Sequence, residues 1–301
     1  MEEHLDYIES LVQKGGPTPS EYKRLNNVLY DVYEMWQDGK IGEKELDKFR
    51  SSFGPAVSKE TMQGFALKKP HGYPGDFEIM ERVYKKYVSD NEDLENWDNF
   101  FHSRGATKAV RNRKKYFKGI LYNLSKSQEV GEISVLNIAS GPTRGVYEFL
   151  KEASASNIKF DCVDADNKAI EYSKDLCEDY LDKIRFYEKN VFRFSLDKKY
   201  DLVWSAGLFD YLNDKEFKFL TQRICSLAKG DGEAIIGNFS NKNPTKPYME
   251  VVHDWILNYR SKKQISGLAK ECGISEENIK VDKEEECINL FLRIKLGKTF
   301  I

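Results

Sequence analysis

From residue 131 onward, short apolar runs alternate with amphipathic segments, and this alternation constrains the fold more than any other feature of the chain. Residues 133–139, 158–163, 184–187, 200–205 and 233–237 read as strands, with helices expected over 146–152, 168–181 and 217–227. Strands separated by helices must cross over to pair, so they form parallel βαβ units with helices on both faces of one sheet. The chain end differs. Residues 279–281 and 287–295 are separated by an acidic turn and no helix, which predicts an antiparallel pair at the sheet edge. The fold class is therefore α/β, a doubly wound, seven-stranded, mostly parallel sheet of Rossmann-like type.

The part before this sheet reads differently. Leu5, Ile8, Leu11 and Val12 share one helical face, and Tyr22, Leu25, Leu29, Tyr33 and Trp36 continue the period after Gly15-Gly16-Pro17. Leu46 and Phe49 suggest a short helix. Pro70 to Asp76 is a dense turn signal, followed by a helix burying Ile79, Met80, Val83, Tyr84 and Tyr87. Residues 106–124 read as one further helix, rich in Lys and Arg. Two domains are expected, a helical region over 1–126 and the sheet domain over 127–301.

Several function classes fall away on composition. The net charge of -2 argues against binding driven by bulk attraction to nucleic acid. No apolar run reaches the length of a membrane span, and the acidic N-terminus lacks the pattern of a secretory signal, so a cytoplasmic location is expected. The cysteines, Cys162, Cys177, Cys225, Cys272 and Cys287, form no C-x-x-C pair, and no metal site is indicated.

The chemistry begins where the first strand ends. Ala139-Ser140-Gly141-Pro142-Thr143-Arg144-Gly145 is a turn running into a helix, at the sheet edge where doubly wound folds bind ligands. Gly141 lets a ligand approach the backbone and Gly145 permits tight helix packing. An ordinary βα turn has the same composition. The second strand ends in Asp164-Ala165-Asp166, roughly 20 residues later, the spacing of a carboxylate that accepts both ribose hydroxyls. Asp164 suits that role, Asp166 suits the N-cap of the next helix, and Asp161, within the strand, faces outward or pairs locally. A nicotinamide enzyme and a methyltransferase both fit so far. The dinucleotide fingerprint needs glycine where Ala139 stands, and dehydrogenases commonly lack an antiparallel terminal pair. Both points favour S-adenosylmethionine (SAM).

In the order of its segments, residues 106–301 resemble a class I SAM-dependent methyltransferase. The resemblance implies a SAM loop over 136–145, including Ala139, Ser140 and Gly141, and a ribose acid at Asp164 beside Ala165. It also implies an adenine edge at Asn190-Val191 and a fourth-strand motif over 201–209 that includes Ala206. The family usually carries Asp where this chain has Asn190, whose amide oxygen can accept the same hydrogen bond. Gly72-Tyr73-Pro74-Gly75-Asp76, Ala109-Val110-Arg111-Asn112-Arg113 and Ser205-Ala206-Gly207-Leu208-Phe209-Asp210-Tyr211-Leu212 resemble segments of one bacterial group, itself similar to the methyltransferases that make 3-hydroxy fatty-acid methyl ester signals. The implied acceptor is a small or lipid-like molecule, with a carboxylate as the implied acceptor group.

Methyl transfer needs positioned reactants and excluded water. Asp210 and Tyr211, just past the fourth strand, are the candidates for orienting the acceptor, with a helix cap as the other reading of Asp210. After the fifth strand, Asn238 is placed to contact substrate. His253 and Tyr259-Arg260 lie on an amphipathic stretch, with Arg260 a candidate to hold a carboxylate and His253 a candidate base. A surface helix cation and a structural histidine are the competing readings. Tyr73 on its turn suits a lid closing over the sulfonium, and Arg113 or Arg111 suits the SAM carboxylate. The rival functions are a non-catalytic SAM- or nucleotide-binding module acting through partners, and a nicotinamide-dependent oxidoreductase.

Overall fold

The computed structural model describes residues 1–126 and 131–297. In chain order these form α1 (Glu2–Gln13), α2 (Tyr22–Gln37), α3 (Glu43–Ser51), α4 (Met62–Lys68), α5 (Phe77–Lys85), α6 (Glu92–Ser103) and α7 (Gly105–Ser125). Then come β1 (Ile133–Ile138), α8 (Arg144–Glu152), β2 (Ile158–Asp164), α9 (Asn167–Leu176), β3 (Ile184–Glu188), β4 (Tyr200–Ala206) and α10 (Asp214–Leu227). The chain continues through β5 (Ala228–Phe239), α11 (Lys246–Val251), α12 (Lys262–Glu271), β6 (Ile279–Lys283) and β7 (Asn289–Lys295).

The seven strands form one sheet in the order β3-β2-β1-β4-β5-β7-β6, as the doubly wound reading expects. Pairing is parallel except at β7, which runs antiparallel to both β5 and β6. The strand order reverses between β1 and β4, so the ligand crevice of such a sheet opens beyond Ile138 and Ser205, which are register partners. Neighbouring residues of β1 enter opposite cores. Val135 packs with Phe117, Phe149 and Trp204, whereas Leu136 packs with Val203, Leu220 and Ile224. Burial on both faces is why these strands read as continuous apolar runs.

The late pair is antiparallel and forms one edge of the sheet, as expected: α12 carries the chain to the outermost position, where β6 lies, and β7 then fills the gap beside β5. Two expectations need correction. β5 is longer than its apolar stretch, since Lys229, Gly230, Asp231 and Gly232 mask its start. The helices α4 and α6 were not foreseen. Asn91 caps α6 and acidic residues fill its first turn, a start signal that the sequence does contain.

The chain divides into two compact units, Met1–Lys108 with Asn243–Ile256, and Ala109–Lys242 with Leu257–Ile301. The boundary thus falls inside α7, before the expected 126, and α11 joins the helical unit. Its attachment there is specific. Arg50 donates to the carbonyls of Val251 (2.8 Å) and Glu250 (3.3 Å), and Tyr248 donates to Gln63 (2.7 Å). The helical unit buries Leu11, Leu29, Phe49, Phe53, Trp97 and Phe100, the faces that helical periodicity selects. Among the described residues, no helix is long and apolar enough to cross a membrane.

Candidate active site

The turn after β1 is held in an unusual backbone shape. Ala139, Gly141 and Thr143 all have positive φ, at 52°, 52° and 53°. An alanine or threonine there costs about 1–3 kcal/mol and persists only where the surroundings impose it. The restraints are visible. Ser140 N–H donates to the Val163 carbonyl (3.2 Å), Gly141 N–H to Asp164 Oδ2 (2.8 Å), and Ser173 Oγ–H to the Gly141 carbonyl (2.9 Å). Gly141 faces open space, since a Cβ there would meet no described atom within 4 Å. Gly145 has the packing role expected of it, with Lys114 and Phe117 of α7 each 3.4 Å from where a Cβ would stand.

Asp164 ends β2 directly beside this turn. Its second oxygen accepts the Asp166 N–H (3.0 Å). Burial raises its carboxyl above the usual range, while the N–H groups of Asp166 and Gly141 act in the opposite sense. Two carboxylate oxygens offer about four acceptor positions, so capacity for further donors remains. Asp166 caps α9 by accepting the Lys168 N–H (2.9 Å), as read from the sequence. Asp161 is instead buried and accepts from distant partners, Tyr200 (2.8 Å) and Lys198 (3.1 Å). Ala165 is exposed between the two acids. Asn190 is exposed, and its Oδ1 accepts the Phe192 N–H (2.9 Å) in a local turn. Val191 leans partly buried on the α10 side of the core.

The β4 exit forms the second half of the site. Ala206 is half-buried, and Gly207 has φ of 105°. The Arg113 guanidinium lies over Gly207, with Nη1 3.2 Å from the position of a Cβ. Any side chain at Gly207 would therefore displace Arg113. Asp210 follows on a single helical turn and is 3% exposed. Its Oδ1 accepts the Phe239 N–H (2.5 Å) and its carbonyl accepts the Asn258 N–H (2.6 Å). Burial pushes its carboxyl up to about 6, against the pull of the Phe239 N–H and the cations of Arg113 and Arg260. It is not a helix cap, since Asn213 caps α10. Tyr211 is half-buried on the same turn.

Other candidates take different places. Asn238 is fully buried, with Nδ2 donating to the carbonyls of Phe239 and Asn258, both at 3.0 Å, and Oδ1 accepting from Arg260 (2.8 Å). Arg260 is 4% exposed and bridges Ser240 rather than standing on a surface helix. All its donor groups are engaged inside the protein, so the expectation that it holds a substrate carboxylate is corrected. Tyr259, its neighbour, is half-buried on the irregular segment before α12.

Tyr73 and His253 belong to the helical unit. Tyr73 sits on its expected turn and is 38% exposed, and Asp76 caps α5. The His253 ring packs 4.3 Å from Tyr248 and 5.4 Å from Phe101, centroid to centroid. Neither ring nitrogen has a hydrogen-bond partner among the described residues. Burial pushes its pKa down to about 3, helped by Lys69 and Arg50. An imidazole that stays neutral to that point is a poor proton acceptor, so the base role gives way to aromatic packing.

Residues 135–232 match the family described as a methyltransferase domain. No curated protein matches the chain. Among solved structures, a possible exported protein from Bordetella parapertussis is similar with a TM-score of 0.60 at 16% identity, over 74% of this chain and 79% of that one. Magnesium protoporphyrin IX methyltransferase of Synechocystis PCC 6803, solved with SAM bound, aligns with a TM-score of 0.48 at 14% identity, over 64% and 83%. At 16% identity the likeness to the Bordetella protein is one of fold alone.

Proposed function

We propose that this chain is a SAM-dependent methyltransferase acting on a small or lipid-like acceptor. The observation that carries this is the pairing of Gly141 with Asp164 at the reversal point of the sheet, inside the span that matches a methyltransferase domain.

When bound, SAM supplies a methyl group on a positively charged sulfur that leaves readily. The residues present fit it. Asp164 has acceptor capacity for the ribose hydroxyls, and the open side of Gly141 leaves room beside Ala139 and Ser140. Arg113 over Gly207 is suited to the amino-acid carboxylate, a charge-assisted contact. Ala165, Val191 and Ala206 offer small or apolar surface for the adenosine. Asn190 keeps one acceptor position for the adenine amino group, since a carbonyl oxygen accepts two bonds.

For the acceptor, Asp210 and Tyr211 stand where the fourth strand ends and would orient it. We favour a carboxylate, as in a 3-hydroxy fatty acid, which needs no general base near neutral pH. A second reading has one specific support, the elevated carboxyl of Asp210. A carboxylate of that basicity can take a proton from a hydroxyl or amine acceptor.

Calorimetric titration with S-adenosylhomocysteine tests the cofactor, with NAD as control and Asp164→Ala as second protein. The expected result is binding of S-adenosylhomocysteine alone, weakened by about tenfold or more in the variant, or ~1.4 kcal/mol. Preference for NAD would sink the reading. Fatty and hydroxy acids, then alcohols and amines, are the acceptors to screen.

A further inference from the structure

Arg260 lies almost wholly out of solvent, with its guanidinium 4.7 Å from the centre of the Phe217 ring. Its five N–H groups all find acceptors. Nε donates to Asp214 (3.1 Å), Nη1 to Asn238 Oδ1 (2.8 Å) and the Phe209 carbonyl (3.2 Å), and Nη2 to the Leu212 carbonyl (2.6 Å) and Asp214 (2.9 Å). Phe209 and Leu212 flank Asp210 and Tyr211 on either side. Around the same turn, Arg260 N–H donates to the Phe239 carbonyl (3.0 Å), Phe239 N–H to Asp210 Oδ1, and Asn258 N–H to the Asp210 carbonyl. One cation thus ties the turn after β4 to the end of β5 and to the segment entering α12.

We infer that Arg260 is a positioning residue that fixes the carboxyl of Asp210 at the acceptor side of the site, acting through the carbonyls of Phe209 and Leu212 and through Asn238. This rests on the methyltransferase reading for its functional meaning, though not for its geometry. Lysine cannot replace the arginine, because a single ammonium with three donors cannot reach acceptors spread over a planar fork. The charged groups facing Asp210 are Arg113 from α7 and Arg260 itself, with Asp214 offsetting Arg260 from the start of α10.

The test uses the full chain as wild type, Arg260→Lys and Arg260→Met. The ¹³C signal of the Asp210 carboxyl, identified by its loss in Asp210→Asn, is followed against pH. Hydrogen exchange is read at the Phe239 and Asn258 amides. Arg260→Met is expected to raise the titration midpoint of Asp210 by about one pH unit, because a nearby cation is lost. Both amides are expected to exchange at least about tenfold faster. Arg260→Lys restores much of the midpoint but not the slow exchange. S-adenosylhomocysteine affinity stays within about threefold, since Arg260 bonds neither Asp164 nor the Gly141 turn. A brace that only stabilised the fold would lower the melting temperature and leave the midpoint unmoved, which overturns the proposal. If Arg260→Met does not fold, unchanged exchange in Arg260→Lys overturns it equally. Failure of wild type to bind S-adenosylhomocysteine rejects the methyltransferase reading instead, and leaves the Asp210 comparison to stand or fall by itself.

Discussion

At the scale of single residues, two buried titratable groups set opposite limits on stability. Asp210 has a folded pKa near 6 against 3.8 when free, so the folded state holds its proton more tightly than the unfolded state does. Stability is therefore lost as pH rises through 3.8 to about 6, by about 3 kcal/mol. Asp210→Asn keeps the shape and an acceptor for Phe239. It is expected to raise the melting temperature at pH 8 relative to wild type while reducing methyl transfer, the trade expected of a group held for function. A lower melting temperature at pH 8 would mean that Arg113 and Arg260 already compensate the charge. His253 runs the other way. Its folded value of about 3 lies below the free value of 6.5, so stability is lost as pH falls from 6.5 towards 3. His253→Phe is expected to flatten that acid limb, and thermal melts between pH 4 and 7 would check it.

At the scale of elements, glycines mark the places where backbone must approach closely. Gly64 in α4 has no room at all, because a Cβ would lie 1.9 Å from the Ser58 carbonyl oxygen. Backbone cannot yield as a side chain does, so Gly64→Ala is expected to cost more than about 3 kcal/mol in denaturant unfolding. Gly207 is different, because its neighbour is the movable Arg113 guanidinium. Its positive φ adds strain to any replacement. Gly207→Ala should leave a folded protein whose S-adenosylhomocysteine affinity falls by about three- to tenfold as Arg113 is pushed aside. Unchanged affinity would remove Arg113 from the cofactor site. The β1–α8 turn was legible as a glycine turn. That Ala139 and Thr143 share its left-handed shape was not, because nothing in their side chains favours it.

At the scale of the whole molecule, ligand binding should act unevenly. A ligand held by the sheet unit at about 100 times its Kd adds about 2.7 kcal/mol to the folded state. Saturating S-adenosylhomocysteine is expected to slow hydrogen exchange over 139–145, 164–166 and 205–211, with little effect over 1–60. Uniform slowing along the chain would argue against a localised site. The chain path also matters at this scale. Residues 243–256 leave the sheet unit after β5 and belong to the helical unit, although sequence order places them among strands.

The sequence by itself determined the alternation of strands and helices, the turn at Gly141 and the acid at Asp164. These rest on local signals: apolar periodicity, turn chemistry, and a spacing fixed by one βα unit. Only the tertiary structure decided the rest. Arg260 and Asn238 looked like residues free to meet a ligand, yet Arg260 spends its donors on carbonyls 51 and 48 residues earlier in the chain. His253 could be read as a base or as a structural histidine, and the packing of Tyr248 and Phe101 around it decides for the second. The insertion of β7 between β5 and β6 likewise depends on where α12 carries the chain. A buried polar group is defined by its partners, and those partners are brought together by the fold rather than by neighbouring letters.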